Sequence, residues 1–247
     1  MPIFRITRNE KYDFATLHNR GCNFGCPFCS YKLRSGADGR PGFSVPAPER
    51  FLDMAEIKAA LKQVRPGKVY VMGGEPTTAP ELPELLLFAK NELNAETKLG
   101  HTNGSELPLP GLDGANVGFK AWSEELHLRL TRHPKSLVYD NFSRAFDSGV
   151  KLAANVIFIP GLVDLVEIEN LARHLAAMSA DIPLHINGYI PVPGQPWQRP
   201  TAEEMREATL IAESHLSHVS FSHLTSEEAL DLSARDDRFN VKIIAGA

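Results

Sequence analysis

Three cysteines, Cys22, Cys26 and Cys29, fall within eight consecutive residues, and the chain has no others. In the segment Cys22-Asn-Phe-Gly-Cys26-Pro-Phe-Cys29, gaps of three and then two residues let thiolates from one turn reach three corners of an iron–sulfur cubane. Gly21 and Gly25 relax the backbone around them, and Pro27 stiffens the last turn. Four thiolates would saturate a [4Fe-4S] cluster, whereas three leave one iron open to a ligand, as catalysis requires. An odd, tightly clustered set is not a disulfide framework, and no second all-cysteine metal site can exist in the chain. Structural zinc is the alternative, because His18 precedes Cys22 by four residues and could complete a Cys3His set.

A second grouping, Gly73-Gly74-Glu75-Pro76, directly follows the apolar run Lys68–Met72. Paired glycines let the main chain approach a ligand closely, and Pro76 holds Glu75 extended. The Glu75 carboxylate and nearby carbonyls can accept hydrogen bonds from an ammonium group. An ordinary strand-ending turn is the plainer alternative.

These groups need a scaffold, and the apolar spacing supplies one. Strands are expected at residues 12–17, 68–72, 97–101, 115–120, 151–159 and 182–190. Helices are expected over 48–64, 80–93, 136–147 (with Gly149 as a C-cap) and 164–178, with a last one starting at Thr201 in a Thr201/Glu204 capping box. Residues 32–48, rich in Gly and Pro, read as a long functional loop. Strands alternating with helices predict an α/β fold, a partial (β/α)6 barrel of parallel strands with outer helices. In such folds chemistry sits at the carboxyl ends of the strands. The cysteine loop, Gly73-Gly74, Asn103-Gly104 and Pro160-Gly161 all follow expected strands and should share one face.

The 247 residues are 43% hydrophobic, with 26 basic and 30 acidic side chains, enough apolar content for a single globular domain. A formal net charge of -4 carries no strong nucleic-acid signal. No apolar run approaches the roughly 20 residues of a membrane helix, and the first residues are too polar for a secretory signal. A cytoplasmic location is the expectation.

The Cys-x3-Cys-x2-Cys segment, with Phe28 before its last cysteine, and the GGEP segment one strand–helix unit later together resemble the radical S-adenosylmethionine (radical SAM) superfamily. More narrowly, the chain is similar to the glycyl-radical-enzyme (pyruvate formate-lyase) activating group. That likeness spans about residues 12–210 of a single domain over 1–247, with a carboxyl-terminal helix and strand extension. It rests on Thr102-Asn103-Gly104, Phe119-Lys120, the run VIFIPG from Val156 with Asp164 after it, Tyr189-Ile190-Pro191, Pro196-Trp197 and the segment from Pro200 to Met205.

The resemblance implies that the cysteines hold a [4Fe-4S] cluster whose open iron is chelated by the amine and carboxylate of SAM. A one-electron donor, flavodoxin- or ferredoxin-like, then drives cleavage to a 5′-deoxyadenosyl radical that abstracts hydrogen from substrate. Phe28, Gly73, Gly74, Glu75, Thr102, Asn103, Lys120, Asn155 and His185 are the implied cofactor-binding residues. The chain departs from the activating group at His101 and Gly118, where that group has aspartates that help hold a monovalent cation, and at Asn155, where an arginine is common. His101 and Lys120 are expected to supply the positive charge instead.

His185 and Asn187 share one strand face and could point towards substrate or SAM. His215, His218 and His223 lack the carboxylate or cysteine spacing of a second metal site and read as surface or core histidines. Trp122 and Trp197 read as packing or rim residues. With no further cysteine, auxiliary clusters are ruled out. Three readings remain: an activase or related enzyme acting on a protein; a small-molecule enzyme like 7-carboxy-7-deazaguanine synthase; and, remotely, a non-catalytic iron–sulfur or zinc protein.

Overall fold

Strands and helices alternate along the chain, and one nine-stranded sheet results. The computed structural model describes residues 1–235 and 242–246. Its strands are β1 (Ile3–Asn9), β2 (Phe14–Asn19), β3 (Lys68–Met72), β4 (Glu96–Thr102), β5 (Gly114–Phe119), β6 (Lys151–Phe158), β7 (Leu184–Gly188), β8 (Val219–Ser222) and β9 (Lys242–Gly246). They lie side by side in the order β8-β7-β6-β5-β4-β3-β2-β1-β9. From β2 to β8 all neighbours are parallel, while β1 runs antiparallel to both β2 and β9. The sheet is open, with β8 and β9 as its edges. The partial parallel barrel expected from sequence is present, with a seventh parallel strand, β8, and an antiparallel pair, β1 and β9, added at its ends.

The helices are α1 (Lys32–Ser35), α2 (Met54–Val64), α3 (Leu82–Leu93), α4 (Glu124–Thr131), α5 (Ser136–Asp147), α6 (Leu165–Met178), α7 (Ala202–Glu213) and α8 (Ser226–Arg235). Period two on the strands decides which face meets them. Val69 and Val71 of β3, and Ala115, Val117 and Phe119 of β5, are buried in the hydrophobic core. The residues between them turn to the concave side, which is polar across its far half. There Gly118, Asn155, His185 and Ser220 stand in register on four successive strands.

Element starts follow capping chemistry. Thr201 and Glu204 exchange the two hydrogen bonds of a capping box (3.2 and 2.6 Å), as expected. The helix expected over 48–64 begins only at Met54, because Asp53 and Glu56 close a second capping box there. Phe51, counted on its apolar face, is 45% exposed. The stretch 32–48 opens with the single turn α1 and is otherwise irregular. No helix joins β4 to β5; residues 103–113 cross directly, and α4 and α5 both follow β5. None of the described helices is long and apolar enough to cross a membrane.

Candidate active site

At the carboxyl end of β2 the chain enters the cysteine loop, and three main-chain segments meet there. Gly21 N–H donates to Gly42 O (2.7 Å), and Glu75 N–H donates to Gly21 O (2.7 Å). Gly74 has φ +55°, and a Cβ on it would stand 1.9 Å from Gly21 O; one on Gly42 would stand 2.8 Å from Gly74 Cα. The cysteine loop, the long loop and the GGEP turn thus pack backbone to backbone, which only glycine permits. Asn19 Nδ2 donates to Gly73 O (2.9 Å), and Gly74 N–H donates to Tyr31 Oη (3.1 Å).

A cavity of about 190 Å³ opens on this junction. Cys22, Cys26, Cys29 and Phe28 line one side, and Gly74, Thr102 and Asn103 line the turn beyond them. Lys120, Asn155, His101 and Gly118 line the barrel side. Burial pushes the Cys26 thiol up to about 12, and the Cys22 thiol also rises, chiefly through burial. The charge of Lys120, across the cavity, pulls both thiols down against that burial. A Cβ on Gly118 would lie 2.7 Å from Lys120 Nζ and 3.2 Å from Asn155 Oδ1, so the ammonium fills the space that a side chain at 118 would need.

Glu75 takes a different place from the one expected. It is fully buried (0% exposed) and does not line the cavity. Its Oε1 accepts from Thr77 N–H (3.2 Å), Thr77 Oγ1 (2.7 Å) and Thr102 Oγ1 (2.7 Å), and its Oε2 accepts from Asn103 N–H. Burial pushes its pKa up and these donors pull it back. With every donor internal, Glu75 clamps the end of β3 to the turn after β4 and leaves Gly74 and Asn103 to face the cavity. Gly73 packs behind the same turn, against Asn19.

His185 also stands outside the cavity lining, one strand beyond Asn155, with Nδ1 2.8 Å from Ser220 Oγ. Asn155 Nδ2 donates to Asn116 Oδ1 (2.8 Å). Asn187 is held by Val156 O and Ser222 rather than by a ligand-shaped opening. Pro160-Gly161 shares the face but not the cavity; Gly161 N–H caps onto Asp164 (2.8 Å) at the start of α6. His215 pairs with Glu169 (3.7 Å) and His223 with Pro200 O (2.6 Å), so those histidines serve separate packing roles. Trp122 packs on Tyr139 and His174, and Trp197 on Tyr189.

Two cavity-side contributors escaped the sequence. Tyr31 holds the GGEP turn through its hydroxyl. Asn23 accepts from Asn103 Nδ2 (2.7 Å) and donates to Ser105 Oγ (3.0 Å), tying the cysteine loop to the β4 turn. Asn23 adjoins Cys22 and Tyr31 stands two residues after Cys29, but only their partners 80 and 43 residues away reveal the role.

His101, on the barrel wall, is open to the cavity yet hemmed in by protein; burial lowers its pKa first, then Lys120 and His185. Burial likewise lowers His127, His174 and His185. A histidine held neutral binds fewer protons folded than unfolded, so stability is lost as pH falls from about 6.5 towards the folded value. The thermal midpoint should therefore drop between pH 7.5 and 5.5, less so in His127→Gln; a flat native profile contradicts this reading.

Residues 16–175 match the family model for the radical SAM superfamily. A Methanocaldococcus jannaschii protein provisionally named a glycyl-radical enzyme activating enzyme is 30% identical over 230 residues, covering 90% of this chain and 84% of its own. A GTP 3′,8-cyclase of Chlorobaculum tepidum is 29% identical over 136 residues, which is 51% of this chain and 37% of that protein. Among solved structures, a radical SAM methyltransferase from Sphaerobacter thermophilus superposes with a TM-score of 0.61 at 19% identity, over 88% of this chain and 68% of that one. Cysteine loop, glycine turn and open parallel barrel agree with the family match over most of the chain: it belongs to the radical SAM superfamily.

Proposed function

We propose that this radical SAM enzyme binds a [4Fe-4S] cluster through Cys22, Cys26 and Cys29 and acts on a polypeptide, as a glycyl-radical-enzyme activase or a close relative. The observation that carries the proposal is one cavity faced by all three thiols, the Gly74 turn, Asn103 and Lys120. The donor set fits a cluster: three thiols line one side of the cavity, and a cluster takes each on a different iron. His18, the fourth ligand that a local zinc site would use, is not in the cavity lining, and its Nε2 lies 2.9 Å from Thr7 Oγ1. Cys22 Sγ already accepts from Phe24 N–H (3.4 Å) and Asn103 Nδ2 (3.9 Å), contacts that favour a thiolate.

When bound, the cluster supplies the electron that splits SAM into methionine and a 5′-deoxyadenosyl radical. The chain's own residues bind and orient. Backbone groups at Gly74 and Asn103 are suited to the amino-acid end of SAM, and Lys120 to its carboxylate. Phe28 and Ile157 give the cavity apolar walls that keep water from a radical.

Because the ammonium of Lys120 occupies the space beside Gly118, no alkali cation is required: activity in potassium and in tetramethylammonium salts should be equal. A strong potassium requirement would overturn that assignment. The whole reading is tested anaerobically, with iron, sulfide, dithionite and SAM, by quantifying 5′-deoxyadenosine. Native protein should form it and Cys26→Ala should not. Bound zinc with no SAM cleavage would end the proposal. The partial likeness to a GTP 3′,8-cyclase keeps a small-molecule substrate as the second reading; the cavity has one lysine and no arginine to meet a triphosphate, which disfavours it.

A further inference from the structure

Charge on this chain is unevenly placed. Of its 26 basic and 30 acidic side chains, residues 20–48 and 126–139 hold seven basic and one acidic, leaving 19 and 29 elsewhere. A net +6 thus stands against -10 on the rest of the molecule. The two segments are also in contact. Gly25 N–H donates to Thr131 O (3.2 Å), His133 Nε2 lies 3.2 Å from Asn23 O, and Phe24 stacks on His133 at 4.9 Å. Arg132 lies along the cysteine loop, its Nε 3.2 Å from where a Gly25 Cβ would stand, next in sequence to Cys26. On the other flank Arg20 and Arg40 both stack on Phe43 (4.9 and 4.1 Å), whose ring lies 3.6 Å from where a Gly21 Cβ would stand. Arg40, Arg129 and Arg132 are exposed, and among the described residues none has a carboxylate within ion-pair distance. The acidic groups nearby in sequence are Asp38 in the long loop, Glu49 just past its end, and Glu124, Glu125 and Asp140 beyond the ends of the second segment.

We propose that this basic face, built on the cysteine loop and the α4–α5 turn, is the docking site for the electron donor, a small acidic one-electron carrier protein. The inference rests on the cluster assignment above and says where the electron enters. A cationic patch on an otherwise acidic chain steers an acidic partner and orients it, since the remainder repels it. Electron-transfer encounters are small and weak, so a handful of exposed arginines can dominate them. A nucleic acid is disfavoured, because an extended polyanion would meet a chain whose remaining residues carry a net -10.

The test uses a bacterial flavodoxin with its NADPH-dependent reductase as the probe. Its binding to the purified protein is measured by calorimetry at low and high salt, and 5′-deoxyadenosine formation is followed with flavodoxin or with dithionite. The variants are Arg129→Glu/Arg132→Glu and, as a control on α7, Arg206→Glu. The double reversal should weaken binding and slow the flavodoxin-driven reaction about tenfold, with the dithionite-driven reaction and the control unchanged. Native affinity should fall as salt rises. Equal effects of double reversal and control, salt-independent binding, or a single-stranded oligonucleotide binding as tightly as flavodoxin would each overturn the proposal. Failure of dithionite itself would count against the cluster assignment, while the binding measurement would still decide the docking face.

Discussion

Gly74→Ala should lose on the order of 4 kcal/mol of stability and should fail to take up a cluster. Three costs add at this position. The residue sits at φ +55°, where an L side chain pays about 1 kcal/mol or more. The new methyl would fall 1.9 Å from Gly21 O and 2.8 Å from Gly21 C, backbone atoms that no rotamer change can move aside. Relief therefore separates the GGEP turn from the cysteine loop, breaking the hydrogen bond from Glu75 N–H to Gly21 O. The Gly21–Gly42 hydrogen bond beside it is strained by the same movement. Gly149→Ala is the control, since Gly149 has φ +82° and no atom within 4 Å of a built Cβ. It carries the conformational cost without the collision. At about 2–4 °C per kcal/mol for a chain of this size, Gly74→Ala should melt about 10 °C below the native protein and Gly149→Ala only a few degrees below. Absorbance of the reconstituted cluster near 400 nm gives the second readout. Equal melting of the two variants, with normal cluster uptake in both, would show that the backbone junction is not what orders the cysteine loop.

What the sequence shows and hides follows from how local each feature is. The run KVYVM alternates cleanly and is bounded by Gly on both sides, so β3 was legible to the residue; so was α5, whose apolar positions recur at helical spacing. β1 was missed because its alternation is broken: the register shifts between Ile3 and Arg5, so the buried Ile3 and Ile6 are three apart rather than two. β9 pairs with β1 across almost the whole chain, a contact that no local pattern announces. Within the site, the cysteines and the glycine pair were legible because their chemistry depends on spacing along one turn. Tyr31 and Asn23 were not, because an isolated tyrosine or asparagine becomes a clamp only when the fold delivers its partner. His185 alternates correctly onto the concave face, but its neighbour Ser220 lies in the carboxyl-terminal extension, where the sequence set no strand bounds and no pairing with β7.

Glu75 shows the same limit in sharper form and carries the remaining prediction. Sequence identified an acidic acceptor after two glycines; the fold turns that acceptor inward. Each carboxylate oxygen receives one main-chain N–H, Oε1 from Thr77 and Oε2 from Asn103. Glutamine has nearly the same shape, yet neither amide orientation fits. With its nitrogen at one position it meets Asn103 N–H, and at the other it meets Thr77 N–H together with the Thr77 and Thr102 hydroxyls. One donor is forced against another in either case, at a site with no access to water. The cost should be about 2–4 kcal/mol, that of a buried charged acceptor lost and a buried donor left unpaired. Glu75→Asp is the comparison: it keeps both acceptors but retracts them by one methylene, and should retain part of the stability. If Glu75 acts by holding Asn103 and Gly74 in place, Glu75→Gln should lower SAM affinity in step with its loss of thermal stability. If instead it touched the ammonium of SAM directly, affinity would fall while the melting point stayed at the native value. A fully buried carboxylate with four internal donors predicts the first result, because displacing any of them to reach a ligand would leave that donor without a partner in the core.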